Sequence, residues 1–88
     1  MIRSGQLGET IRIESATRWD ALDLVQRLSG LHTYLVQLGD RRWHVCVRPE
    51  GRVDELVPEL LRTASQWATE RHLDSVLRVG DRSYELHA

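Results

Sequence analysis

His44 and Cys46 stand two residues apart in "RRWHVCVR". In an extended strand both side chains leave the same face, about 6.5–7 Å apart along the chain. An imidazole beside a thiol could serve as a nucleophile with its base, or as half of a zinc site, and either chemistry needs a third group. His87 alternates onto the same face in the last strand. With two further strands between them, it is expected about 14 Å from His44, so no convergent site forms. His44 is read as a solvated strand residue. Arg12, Arg42, Arg48 and Arg78 are expected beside His44 and Cys46 on one polar sheet face, against Glu14 and Glu85, with a mild basic bias. His72 falls in the last turn of a helix, where partial positive charge suits the helix dipole. His32 is a strand-entry residue. No catalytic residue, metal site or cofactor motif is assigned.

These residues sit in a chain of 88 with 12 basic and 13 acidic side chains, net charge −1. That is the size of one domain, 1–88, with residues 1–9 as a flexible tail. The charge balance lacks the broad positive field of nucleic-acid or anionic-membrane binders, so neither partner is expected. All twelve basic residues are arginine, and lysine, asparagine and phenylalanine are absent. GC-rich coding explains this bias and points to a bacterial source. A single cysteine permits no intrachain disulfide. With no apolar N-terminal core and no spanning run, the expected location is cytoplasmic.

Side-chain periodicity gives the elements. "TIRIE" alternates as a first strand over 10–14. A helix over 17–29 follows, with Thr17 and Asp20 at capping-box spacing and Trp19, Leu22, Val25 and Leu28 as its core stripe. In "HTYLVQLGDRRWHVCVRPEG", two alternating runs meet at Gly39-Asp40, the pattern of a type II′ hairpin. Pairing Leu38 with Arg41 sets Val36 opposite Trp43 and Tyr34 opposite Val45 on the core side. Thr33, Leu35 and Gln37 then join Arg42, His44, Cys46 and Arg48 outside. A second helix, with Asp54 as a reasonable N-cap, carries Leu60, Leu61, Ala64, Trp67 and Ala68 inward. Its start is open by four residues because Pro58 belongs in a first turn. "SVLRVGDRSYELHA" then repeats the hairpin, with Leu77 opposite Tyr84.

"LGDRRWHV" and "VGDRSYEL" thus sit 41 residues apart, and an αββ unit recurs over 17–48 and 58–87. The order β-α-β-β-α-β over 10–79 resembles the ferredoxin-like superfold with a fifth strand appended. That resemblance implies an α+β two-layer sandwich, an antiparallel sheet in order 2-3-1-4-5, and two helices on one face. It implies no activity. RNA-binding relatives of that fold stack bases on open-face aromatics, whereas Tyr34, Trp43 and Tyr84 are all expected to face the core.

Three function classes remain. The leading one is a non-catalytic protein-interaction or oligomerisation module, because it requires no residue the chain lacks. A small-ligand regulatory domain of the ACT type shares the element order, though the loop "ESAT" at 14–17 has none of the glycine such domains carry there. A small enzyme would have to use His44 and Cys46 on the open face. The edge strand 32–38, with candidate contacts His32, Tyr34, Leu35, Val36 and Gln37, contains no proline, lysine or formal charge apart from His32. Monomeric proteins usually blunt such an edge. The expected partner is a second copy, meeting this strand antiparallel about a two-fold axis.

Overall fold

The computed structural model describes residues 10–87. The tail expected over 1–9 lies outside the described residues. Seven elements follow in order: β1 (Ile11–Ser15), α1 (Arg18–Arg27), β2 (His32–Gly39), β3 (Arg42–Arg48), α2 (Val53–Arg71), β4 (Ser75–Val79) and β5 (Arg82–Leu86). The strands form one antiparallel sheet in the order β2-β3-β1-β4-β5, as the sequence predicts. Both helices cover one face of it, and the opposite face is open.

The core lies between the helices and the covered face. Ile11 and Ile13 from β1, Val45 and Val47 from β3, Leu77 and Val79 from β4 and Leu86 from β5 meet Leu24, Leu60, Ala64 and Trp67 from the helices. Each fully buried large aliphatic here stabilises the fold by roughly 1.5–3 kcal/mol relative to exposure. Trp67 is wholly buried, and its indole N–H donates to the Asp20 carbonyl at 2.9 Å, tying α2 to α1 without leaving a buried donor unpaired. Asp20 also receives Arg71 Nε, while Arg27 bridges Asp23 at 2.9 Å and Glu70 at 2.8 Å. Burial tends to lower the Arg27 pKa, but ion pairs with Glu70 and Asp23 outweigh it and raise the pKa above the usual value.

Helix α1 begins as its cap requires: the Asp20 N–H donates to Thr17 Oγ1 at 3.1 Å. Its buried stripe is Ala21, Leu24 and Leu28. Trp19, expected on that stripe, is instead 73% exposed. Each residue advances a helix by roughly 100°, so spacing by three falls about 60° short of a full turn at every step. From Leu28 back to Trp19 the lag accumulates until Trp19 lies nearly opposite the core.

Helix α2 starts at Val53, with Arg52 rather than Asp54 at the N-cap and no side-chain cap bond. Pro58 therefore lies in the second turn, not the first. His72 is the C-cap rather than part of the last turn, and it adopts the left-handed conformation at φ 57°. The Leu73 N–H donates to the Ala68 carbonyl at 2.8 Å, closing the helix end in the manner of a Schellman turn.

The first hairpin departs from expectation. Val36 pairs with His44, Leu35 with Val45 and Tyr34 with Cys46, one residue out of the predicted register. A β-bulge between Gln37 and Gly39 inserts the extra residue, and Asp40 and Arg41 form the turn. Because side chains alternate, that single residue turns Tyr34 and Val36 to the open face and Leu35 to the helices. Gly39 does not take a positive φ, so the predicted type II′ turn with Gly39 at its first central position does not occur. The second hairpin keeps its predicted register: Val79 pairs with Arg82 and Leu77 with Tyr84, and Gly80 has φ 60°. Trp43 and Tyr84 both pack against the core.

Candidate functional site

The open face is built by the strand residues that alternate away from the core. One row across it reads Tyr34, Cys46, Arg12 and Arg78 from β2 to β4, and a second reads Val36, His44 and Glu14. The expected polar residues therefore do share a face, with Arg42 and Arg48 at the two ends of β3. What the sequence reading placed inside, and the structure places here, is the aromatic ring of Tyr34, 54% exposed. No signal in the two runs could reveal this, because the bulge that causes it carries no proline or positive-φ glycine.

The electrostatics of the face are uneven. Glu14 Oε2, on β1, accepts from the Arg78 guanidinium of β4 at 3.1 and 3.2 Å. Arg12 faces Arg78 on one side and Cys46 on the other, with neither an acid. Its one side-chain hydrogen bond among the described residues is a long one, from Nη1 to Thr10 Oγ1 at 3.4 Å. Its Nε is buried and has no partner. A buried donor left unpaired costs about 1–3 kcal/mol, and more for a charged group. Burial and the nearby guanidinium groups of Arg12, Arg42 and Arg78 lower the His44 pKa, only partly offset by Glu14. Burial likewise pushes the Cys46 thiol up, against smaller opposing effects of Tyr34 and Arg12.

These directions run against the nucleophile chemistry that His44 and Cys46 would perform, since attack requires thiolate. Among the described residues no group of three or more His, Cys, Asp and Glu is placed to hold a metal ion. His87 lies on the far side of the sheet beyond β1 and β4, near Glu85 at 3.3 Å and Asp74 at 3.8 Å. His32 lies 3.1 Å from Glu50 at the other end of the molecule's edge strand.

That strand, β2, has β3 as its sole neighbour in the sheet. Of its expected contact residues, His32, Tyr34 and Val36 line the open side, while Leu35 and Gln37 pair with Val45 and Trp43 on the helix side. Leu35 is half-buried against the core, whereas Gln37 remains exposed. Three large hydrophobic side chains are exposed among the described residues, and two of them, Tyr34 and Leu38, belong to β2. No helix among the described residues is long and apolar enough to cross a membrane. No protein-family model matches the chain, and neither a curated protein nor a solved structure matches it.

Proposed function

We propose that this chain is a non-catalytic interaction module that forms a homodimer through β2, the two strands meeting antiparallel about a two-fold axis. The observation that carries the reading is the state of the edge. The eight residues of β2 have a neighbouring strand on one side only, contain no lysine or proline, and hold Tyr34 and Leu38 in the open. A row of free backbone donors and acceptors beside exposed apolar side chains is a template for strand addition. The bulge near Leu38 interrupts that template at one end and leaves the stretch from His32 to Gln37 regular. Isologous pairing of that stretch would extend five strands into ten and use the same residues from both copies.

The sheet order, with both helices on one face, supports the finer reading of a ferredoxin-like sandwich with an appended fifth strand. We assign the module to the cytoplasm on the strength of its single cysteine, which can make no intrachain disulfide.

Light scattering across micromolar to millimolar concentration tests the association. The wild-type chain should have twice the chain mass, and Val36→Lys should have the mass of one chain with an unchanged circular dichroism spectrum. In the paired state that substitution sets a charge from each copy beside the new ladder, a device by which monomeric proteins block edge pairing. A wild-type mass of one chain throughout would overturn the reading. Dimers that survive Val36→Lys would overturn β2 as the contact, as would pairing of β2 with the preceding segment 1–9.

A further inference from the structure

Beyond self-association, the open face contains a depression of about 340 Å³ lined on its polar side by Arg12, Arg48, His44, Cys46 and Tyr34. That size is at the lower end of small-molecule sites. None of its lining residues is an aspartate or glutamate. In a chain whose acids outnumber its bases, a concave site with two arginines and no acid is a local reversal of sign. Arg48 forms no ion pair with any described residue, and Arg12 is flanked by Arg78 and Cys46 with its Nε buried and unpartnered. The one acid on the open side of β1, Glu14, is engaged by Arg78.

The geometry points to a binding site for a small oxyanion joined to a planar ring: the oxyanion meets the guanidinium of Arg12, which no acid among the described residues pairs, and the ring lies on Tyr34. A guanidinium presents its donors as a planar fork that matches the two oxygens of a carboxylate or phosphate. Arg48, beyond Cys46 on the neighbouring strand, adds a second positive charge from the end of the depression. Tyr34 lies in the same cross-strand row as Arg12 with Cys46 between them. Two strand spacings separate their backbones, about 9.5 Å, a span that a ring-bearing oxyanion can cover. Val36 and Pro49 give the ring an apolar surround. His44, facing Glu14 from β1 and Val36 from β2, is kept toward its neutral form and adds a hydrogen-bonding group without adding an acid.

Nuclear magnetic resonance titration of the ¹⁵N-labelled chain tests the site, followed at the Arg12 Nε–H signal and the β3 amides. Adenosine 5′-monophosphate and indole-3-acetate are the phosphate and carboxylate probes, with adenosine and inorganic phosphate as the halves of the first and indole and acetate as those of the second. At least one two-part probe should saturate with a dissociation constant of roughly 1 mM or tighter. Saturation by the nucleotide alone identifies a phosphate ester, and saturation by indole-3-acetate alone identifies a carboxylate. Each half should bind at least about tenfold more weakly than its parent. Arg12→Gln should weaken the binding tenfold or more, Tyr34→Ala should weaken it while leaving free phosphate unaffected, and the distant Arg62→Gln should change nothing. Tyr34→Ala, at an exposed position, carries the test if Arg12→Gln unfolds the chain. The proposal is overturned if neither two-part probe moves the Arg12 signal, if inorganic phosphate binds as well as the nucleotide, or if Arg12→Gln folds and binds like wild type. A single-stranded oligonucleotide binding a hundredfold tighter than the mononucleotide would replace the small ligand by nucleic acid.

Discussion

His44 shows how one side chain's surroundings become a property of the whole fold. It faces Glu14 from β1 and Val36 from β2, with the charges of Arg12, Arg42 and Arg78 nearby. Burial and those charges lower its pKa in the native state, so the unfolded chain binds this proton more readily. With more protons bound in the unfolded state, stability falls as pH drops through the ordinary histidine range, from about 7 to below 6. His44→Gln should flatten the dependence of the melting midpoint on pH in that window, and a slope unchanged from wild type would refute the assignment. The hydrogen-bonded and ion-paired Glu70 acts in a lower window: its pKa is depressed, so its contribution is lost as pH falls through the carboxylate range. Two glycines provide a second contrast. Gly80 has φ 60°, whereas Gly39 has ordinary φ and open space where a Cβ would stand. Gly80→Ala should destabilise by about 1–2 kcal/mol, and Gly39→Ala should be neutral or stabilise by up to about 1 kcal/mol. Urea denaturation of the two variants checks this, with equal effects contradicting the difference between the turns.

At the scale of elements, most of the sheet was legible because β1, β3, β4 and β5 alternate with their apolar residues on the side they bury. In β2 the same rule misleads. Tyr34, Val36 and Leu38 outnumber Leu35, so alternation places the even positions inward, whereas the bulge turns Tyr34 and Val36 out. An edge strand can present its richer side to the open face because the core needs only Leu35 from it. Trp19 was misplaced for a different reason, since a three-residue spacing drifts around a helix. The open-face arginines could be read from the sequence, but the missing partner of Arg12 could not, because it depends on Glu14 turning to Arg78. Pro58 marks where local preference and helix length conflict. In the second turn of α2 it can offer no N–H to the Asp54 carbonyl, the partner one helical turn earlier. Pro58→Ala should stabilise the chain by about 2 kcal/mol, the gain in helix propensity less the added entropy of the unfolded state. A lower urea midpoint for that variant would show that the proline's rigidity matters more than its missing bond.

For the molecule as a whole, the helices close one face of the sheet and leave the other face and the β2 edge open. Strand addition at the edge and ligand binding on the face both involve Tyr34 but part at Arg12: the first uses the outward backbone groups of β2, the second the Arg12 guanidinium two strands away. Arg12→Gln should therefore leave the solution mass unchanged even as it weakens oxyanion binding. The most direct test of the association is amide hydrogen exchange along β2 as a function of concentration. In an antiparallel dimer, alternate amides between His32 and Leu38 point to the partner strand, so their protection should rise together from micromolar to millimolar protein while that of β1 stays constant. Outward amides that exchange at open-chain rates throughout, or concentration-dependent protection that appears on another element, would contradict it.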